Sequence, residues 1–146
     1  MTRTIEKSSH DDAIRAVVEE RTGNIHVAIT AFLRSLALFY VVLSVRDWGV
    51  ALGAFDPALR FDRAGASWAM YHTIVCVLHP VVAIGLWTTL AWGRVLWFLS
   101  VTIQLATMTI WRETFGVDWV LLIALLVGLV GYGVLLAGER FTAKEA

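Results

Sequence analysis

His72, Cys76 and His79 are spaced i, i+4, i+7, so on a helix all three share one face. Imidazole and thiolate side chains in that pattern suggest a metal or haem site. A structural zinc ion takes four such ligands, and a membrane b-type haem takes two histidines on facing helices. The remaining histidines are His10 and His26. Both lie in or near the N-terminal segment, where neither meets His72 or His79 across one haem. The ligand count therefore favours a plainer role. His72 is expected to face interfacial water and His79 to hydrogen-bond a neighbouring helix. No cofactor and no metal are expected.

Other polar groups sit in apolar surroundings. His79 precedes Pro80, which leaves the carbonyl of Cys76 without its helical donor. A static bend around Cys76–His79 is favoured over a hinge. Ser100, Gln104, Thr107 and Trp111 form a stripe at i, i+4, i+7, i+11 that must face protein rather than lipid. Interhelical hydrogen bonding is its simplest role, and the lining of a polar pathway is the functional one. Gln104 falls at about the depth of His79, and Arg34 lies deep enough to reach the same layer. Ala124, Gly128, Gly131 and Gly133 are small residues that would let another helix approach, in this chain or in a second copy. There is no nucleophile–base pair and no phosphate loop, so no enzyme is expected.

The elements that carry these groups follow from composition. Of 146 residues, 58% are hydrophobic and only 16% charged. Mean hydropathy is +0.70. Soluble domains average about 45–50% apolar and about 25% charged. Formal net charge is +0, which supplies no field for nucleic acid. Four apolar runs emerge at about 28–53, 67–90, 95–112 and 118–138, each near the length needed to cross a bilayer. The fold class is thus all-α: an integral membrane four-helix bundle in contact with the lipid bilayer. The first run contains Arg34 and ends near Arg46-Asp47, both arginines snorkelling toward the surfaces. No Asp or Glu is expected deep in any span, with Asp47 near an end.

Residues 1–27 form a cytoplasmic segment with a short amphipathic helix, opened by Ser9-x-x-Asp12 and closed by Gly23-Asn24. That segment lacks the apolar core of a signal peptide. Residues 28–139 form the membrane domain, and 140–146 a short tail. Spans two and three are expected to turn at Ala91–Arg94, and spans three and four at 113–117. In the longest connection Asp56-Pro57 has the form of an N-cap followed by Pro at the first helical position. The seven tryptophans sort onto two planes. Trp48, Trp68, Trp111 and Trp119 fall at one surface, and Trp87, Trp92 and Trp97 at or near the other. With both termini inside, Arg3, Lys7, Arg15, Arg21, Arg94, Arg140 and Lys144 face the cytoplasm. Arg46, Arg60, Arg63 and Arg112 face outward, a bias that favours this orientation.

Three motifs carry a resemblance. They are Leu59-Arg60-Phe61-Asp62 followed by Trp68, then His79-Pro80 running to Gly85-Leu86-Trp87, then Ala91-Trp92-Gly93-Arg94 running to Trp97-Phe98. In this order, over about residues 30–138, the chain resembles an uncharacterised family of small four-span inner-membrane proteins of alphaproteobacteria. The resemblance implies a four-helix protein of a Gram-negative inner membrane and assigns no chemistry. An aromatic residue is expected in relatives where this chain has His79, and an acidic one near Gln104.

The leading expectation is an accessory or scaffold subunit of a membrane complex. Its outer loop, Arg60, Phe61, Asp62 and Trp68, would contact a membrane-protein partner. The alternative is a small oligomeric transporter or channel that uses the mid-membrane polar layer of Arg34, His79 and Gln104. A haem or metal redox protein comes last.

Overall fold

The computed structural model describes the backbone of residues 2–63, 65–116 and 118–145, with side chains over 23–63, 65–113, 116 and 118–141. Among the described residues every regular element is helical. They are α1 (Thr2–Ala51), a single 3-10 turn (Pro57–Leu59), α2 (Ala66–Trp87), α3 (Ala91–Ile110), α4 (Arg112–Phe115) and α5 (Trp119–Glu145). Four stretches are long and apolar enough to cross a membrane: Gly23–Ala51, Ala66–Trp87, Ala91–Ile110 and Trp119–Phe141.

The chain divides into two compact units, Met1–Phe32 with Val127–Ala146, and Leu33–Leu126. The first unit is simple. Its α1 segment runs through Gly23 and Asn24 without a break, contrary to the closure expected there. One glycine costs a helix only about 1 kcal/mol relative to alanine, and Ile25 to Ala28 continue the helix without a proline. The side chains of the expected amphipathic segment lie outside the described residues. Gly131 of α5 faces Phe32, whose ring would lie 2.9 Å from an added Cβ. Gly133 has open space around it: among the described residues nothing lies within 4 Å of an added Cβ.

The second unit holds the core. On α1, Leu33, Ala37, Tyr40, Ser44, Asp47 and Ala51 are buried. Their spacing alternates four and three residues, which is the inward seam of a packed helix. On α2 the same spacing takes in Val75, His79, Val82 and Leu86, and on α3 Gly93, Trp97, Ser100, Gln104 and Thr107. The opposite faces are apolar and exposed, with Val42, Val45, Ile84 and Val95 each at least 60% accessible. Such an outer surface fits hydrocarbon rather than water.

α2 and α3 approach closest at Gly85 and Gly93. A Cβ added at Gly85 would lie 2.5 Å from the Gly93 Cα. Absent side chains let the two backbones touch, as small residues do between membrane helices. The turn before α3 is Thr88–Leu90 rather than Ala91–Arg94, because Ala91 already begins the helix. Gly93 is thus inside α3 as a packing residue. The turn places Thr89 at φ 56, in the left-handed region that β-branched residues avoid. The first connection follows its sequence pattern. Asp56 caps the turn by accepting from the Ala58 N–H at 2.8 Å, with Pro57 at the first position. Trp97 is 1% exposed and packs into the core, about two turns into α3.

Candidate functional site: a buried Asp47–His79 pair under a polar cavity

The freed carbonyl of the proline comes first. Pro80 lies inside α2, and the Cys76 carbonyl accepts instead from the Trp48 indole N–H at 3.1 Å. Trp48 therefore turns its polar edge inward onto α2 while half of its surface stays exposed. Cys76 is a buried free thiol.

One α1 turn before Ala51, Asp47 is 8% exposed, on the inward seam. Asp47 lies near the end of its span, as expected, but it faces inward and is buried. Its Oδ2 is 2.5 Å from Nδ1 of His79, which is 3% exposed. A carboxylate only accepts, so wherever Asp47 is ionised the proton of this bond is on Nδ1. His79 does bond a neighbouring helix, and its partner is Asp47 of α1. The ring of Tyr40 stands edge-on to that of His79, with centroids 5.3 Å apart.

The pair forms part of a cavity of about 250 Å³ within the second unit. Its lining joins residues with exposed surface, Arg46, Leu59 and Gly116, to the buried His79 and Gln104. Arg46 and Asp118 form an ion pair of 2.9 Å. Asp118 also caps α5, its Oδ1 accepting from the Leu121 N–H at 3.1 Å. That double contact fixes the start of α5 beside the end of the first span. His72 also lines the cavity rather than simply facing water, with its ring stacked on Trp68 at 3.8 Å.

Gln104 and His79 share this cavity without a hydrogen bond between them. The Gln104 amide N–H donates to the Ser100 hydroxyl at 3.0 Å and is 3.3 Å from the Ser100 carbonyl. Four buried polar atoms have no hydrogen-bond partner among the described residues: Tyr40 OH, His72 Nδ1, His79 Nε2 and Gln104 Oε1. Orphan buried polar atoms are costly, and three of these residues, His72, His79 and Gln104, line the cavity.

Other expected residues fall elsewhere. Arg34 is not in the polar layer. Its guanidinium lies over the Trp87 ring, 5.5 Å from the centroid, where its charge stays exposed. The seam of α3 ends at Thr107, because Trp111 is 53% exposed. In the outer loop Arg60 and Asp62 form an exposed ion pair of 2.7 Å beside exposed Phe61. Ala124 is half-buried and Gly128 buried on α5. Among the described residues no group of three or more His, Cys, Asp or Glu could hold a metal ion.

Asp47 and Asp118 are the residues that sequence reasoning missed. The signal for Asp47 was present. It falls seven residues after Tyr40 and fourteen after Leu33, on the heptad seam of α1. Asp118 carried the weaker signal of an N-cap position just before an apolar run.

Four apolar helices with an ionisable pair buried among them define a multi-pass, all-α membrane protein. The chain belongs to a family of unknown function (DUF6163), whose model matches residues 27–142. No curated protein and no solved structure matches it.

Proposed function

We propose that the chain is a small, non-enzymatic transporter or channel that works by exchanging a proton at Asp47 and His79. One observation carries this: the pair is buried inside two apolar helices, at a cavity that reaches exposed residues. Bringing a carboxylate and an imidazole into such a place costs several kcal/mol of hydration per ion. Apolar packing would hold the same helices at no such cost. Ionisable groups inside membranes accordingly mark ion and proton paths.

In this reading the protein lies in the inner membrane of an alphaproteobacterium with both termini cytoplasmic. The division of Lys and Arg between the segments supports this orientation. Arg46, Trp68 and Asp118 then lie at the periplasmic end, and the cavity opens there.

The test is proton movement into proteoliposomes that contain a pH-sensitive dye. Wild type is expected to acidify the lumen under an imposed gradient, Asp47→Asn to lose that activity, and Asp62→Asn to keep it. Wild-type vesicles no leakier than protein-free ones would sink the reading.

A second reading is favoured by the outer loop, where Phe55 is 72% and Phe61 45% exposed. Two exposed aromatics beside an ion pair suit contact with a membrane-protein partner, as an accessory subunit would make. Deleting residues 56–63 should then release the chain from its native complex. Unchanged migration after that deletion rejects it.

A further inference from the structure

We propose that the chain holds one anionic glycerophospholipid, with an acyl chain in a groove between α1 and α2 and its phosphate on Arg34. The site is separate from the Asp47–His79 pair and does not depend on proton exchange.

The groove has a volume of about 340 Å³. Ala37 of α1 and Ala83 of α2, both almost fully buried, line its inner side. Val41, Val45, Ile84 and Trp87 also line it and are exposed. Two small residues between larger ones leave a furrow in the outer surface. Pro80 adds a ring without an N–H, and the Thr88 hydroxyl is already bonded to the carbonyls of Ile84 and Gly85. A hydrocarbon chain suits such a surface better than a polar ligand does.

Depth narrows the occupant. The two helices run antiparallel here, since Arg34 meets Trp87 and Asp47 meets His79. The lining runs from Ala37 to Val45 on α1 and from Thr88 back to Pro80 on α2, a rise of about 12 Å on each helix. One leaflet of hydrocarbon is about 15 Å deep, half of the bilayer core. The groove therefore matches an acyl chain of a single leaflet. A helix of a second copy, crossing the whole core, would need about twice that length.

Charge selects the headgroup. Arg34 precedes Ala37, Val41 and Val45 by three, seven and eleven residues, so it shares their helix face. Its guanidinium lies over the ring of Trp87, itself a groove residue. The ring engages the charge alone, and the N–H fork remains able to bind two oxygens of a phosphate. α2 ends at Trp87, which puts Arg34 and Trp87 at the membrane surface, where lipid headgroups lie. Among the described residues the carboxylates that pair with a base are elsewhere: Asp47 with His79, Asp62 with Arg60 and Asp118 with Arg46. Arg34 thus offers a positive charge with no paired carboxylate. A net anionic headgroup satisfies it, whereas the cationic group of a zwitterionic lipid would find no partner there.

Native mass spectrometry of the purified full chain in mild detergent tests this, with phosphatidylglycerol and phosphatidylcholine of the same acyl chains. One phosphatidylglycerol should bind at a concentration at least about tenfold below that needed for phosphatidylcholine. Arg34→Gln should bring the two lipids to the same level, and Arg34→Lys should keep part of the preference. Arg112→Gln, which removes an exposed charge beyond the end of α3, should change nothing. Val45→Trp, which fills the groove from an exposed position, should weaken both lipids. Glycerol phosphate, a headgroup without chains, should not compete at equal concentration. Equal binding of the two lipids by wild type, or the same loss in Arg34→Gln and Arg112→Gln, overturns the proposal. So does a dimer that Val45→Trp dissociates, because the groove would then hold a second copy. Proton movement in proteoliposomes is a separate readout, so failure of the transport reading leaves this lipid preference standing.

Discussion

Asp47 shows how one side chain reorganises the chemistry of the chain. By position it resembles a residue at the end of a span, beside Arg46. In the structure Arg46 turns to Asp118 and Asp47 turns inward to His79. Removing one partner of a buried pair strands the other. Asp47→Ala and His79→Ala should each lower stability in detergent by about 3 kcal/mol. Replacing both with leucine should recover much of that loss, because the uncompensated charge goes with the pair. Thermal melts of the four proteins check this, and a double variant less stable than either single one contradicts it. Asp62→Ala, which removes an exposed pair, should leave the melt unchanged.

The helices carry their own constraints. Pro80 is accommodated because Trp48 supplies the donor that the proline removed. Trp48→Phe should cost about 1 kcal/mol, the net worth of one hydrogen bond. In a Pro80→Ala background the helix recovers its own N–H, and the same change should cost little. This coupling is measurable as a double-mutant cycle, and additivity would disprove it. Gly93→Ala should force α2 and α3 apart at Gly85 and lower the melting temperature more than Gly133→Ala, which has open space. Thr89→Gly should do the opposite, raising stability by about 1 kcal/mol through relief of the left-handed φ. Small residues on α5 looked like the packing stripe, yet the closest approach is between α2 and α3. The spacing of glycines along one helix does not say which of them meets a neighbour.

At the scale of the molecule, the proposed orientation puts both termini on one side, as an even number of crossings requires. Reporter domains fused to residue 1 and to residue 146 should both report a cytoplasmic location, and a reporter inserted at residue 62 the opposite one. Activity split between the two terminal fusions would refute the orientation. The proposed orientation rests on the Lys and Arg division alone, because insertion reads charges in the connections, where no packing is involved.

What the sequence alone determined was what one-dimensional chemistry can encode. The helical class, the four apolar runs, the Asp56-Pro57 cap and the inward polar stripe of α3 all follow from local composition and periodicity. Each helix must satisfy its own backbone within lipid, so a span is legible without its neighbours. What only the tertiary structure decided was which polar group meets which. Asp47 and His79 are 32 residues apart, and their contact depends on the phase and depth of two helices at once. The same holds for Trp48 with Cys76, for Gly85 with Gly93, and for Arg34, which went to Trp87 and left its place in the polar layer to Asp47.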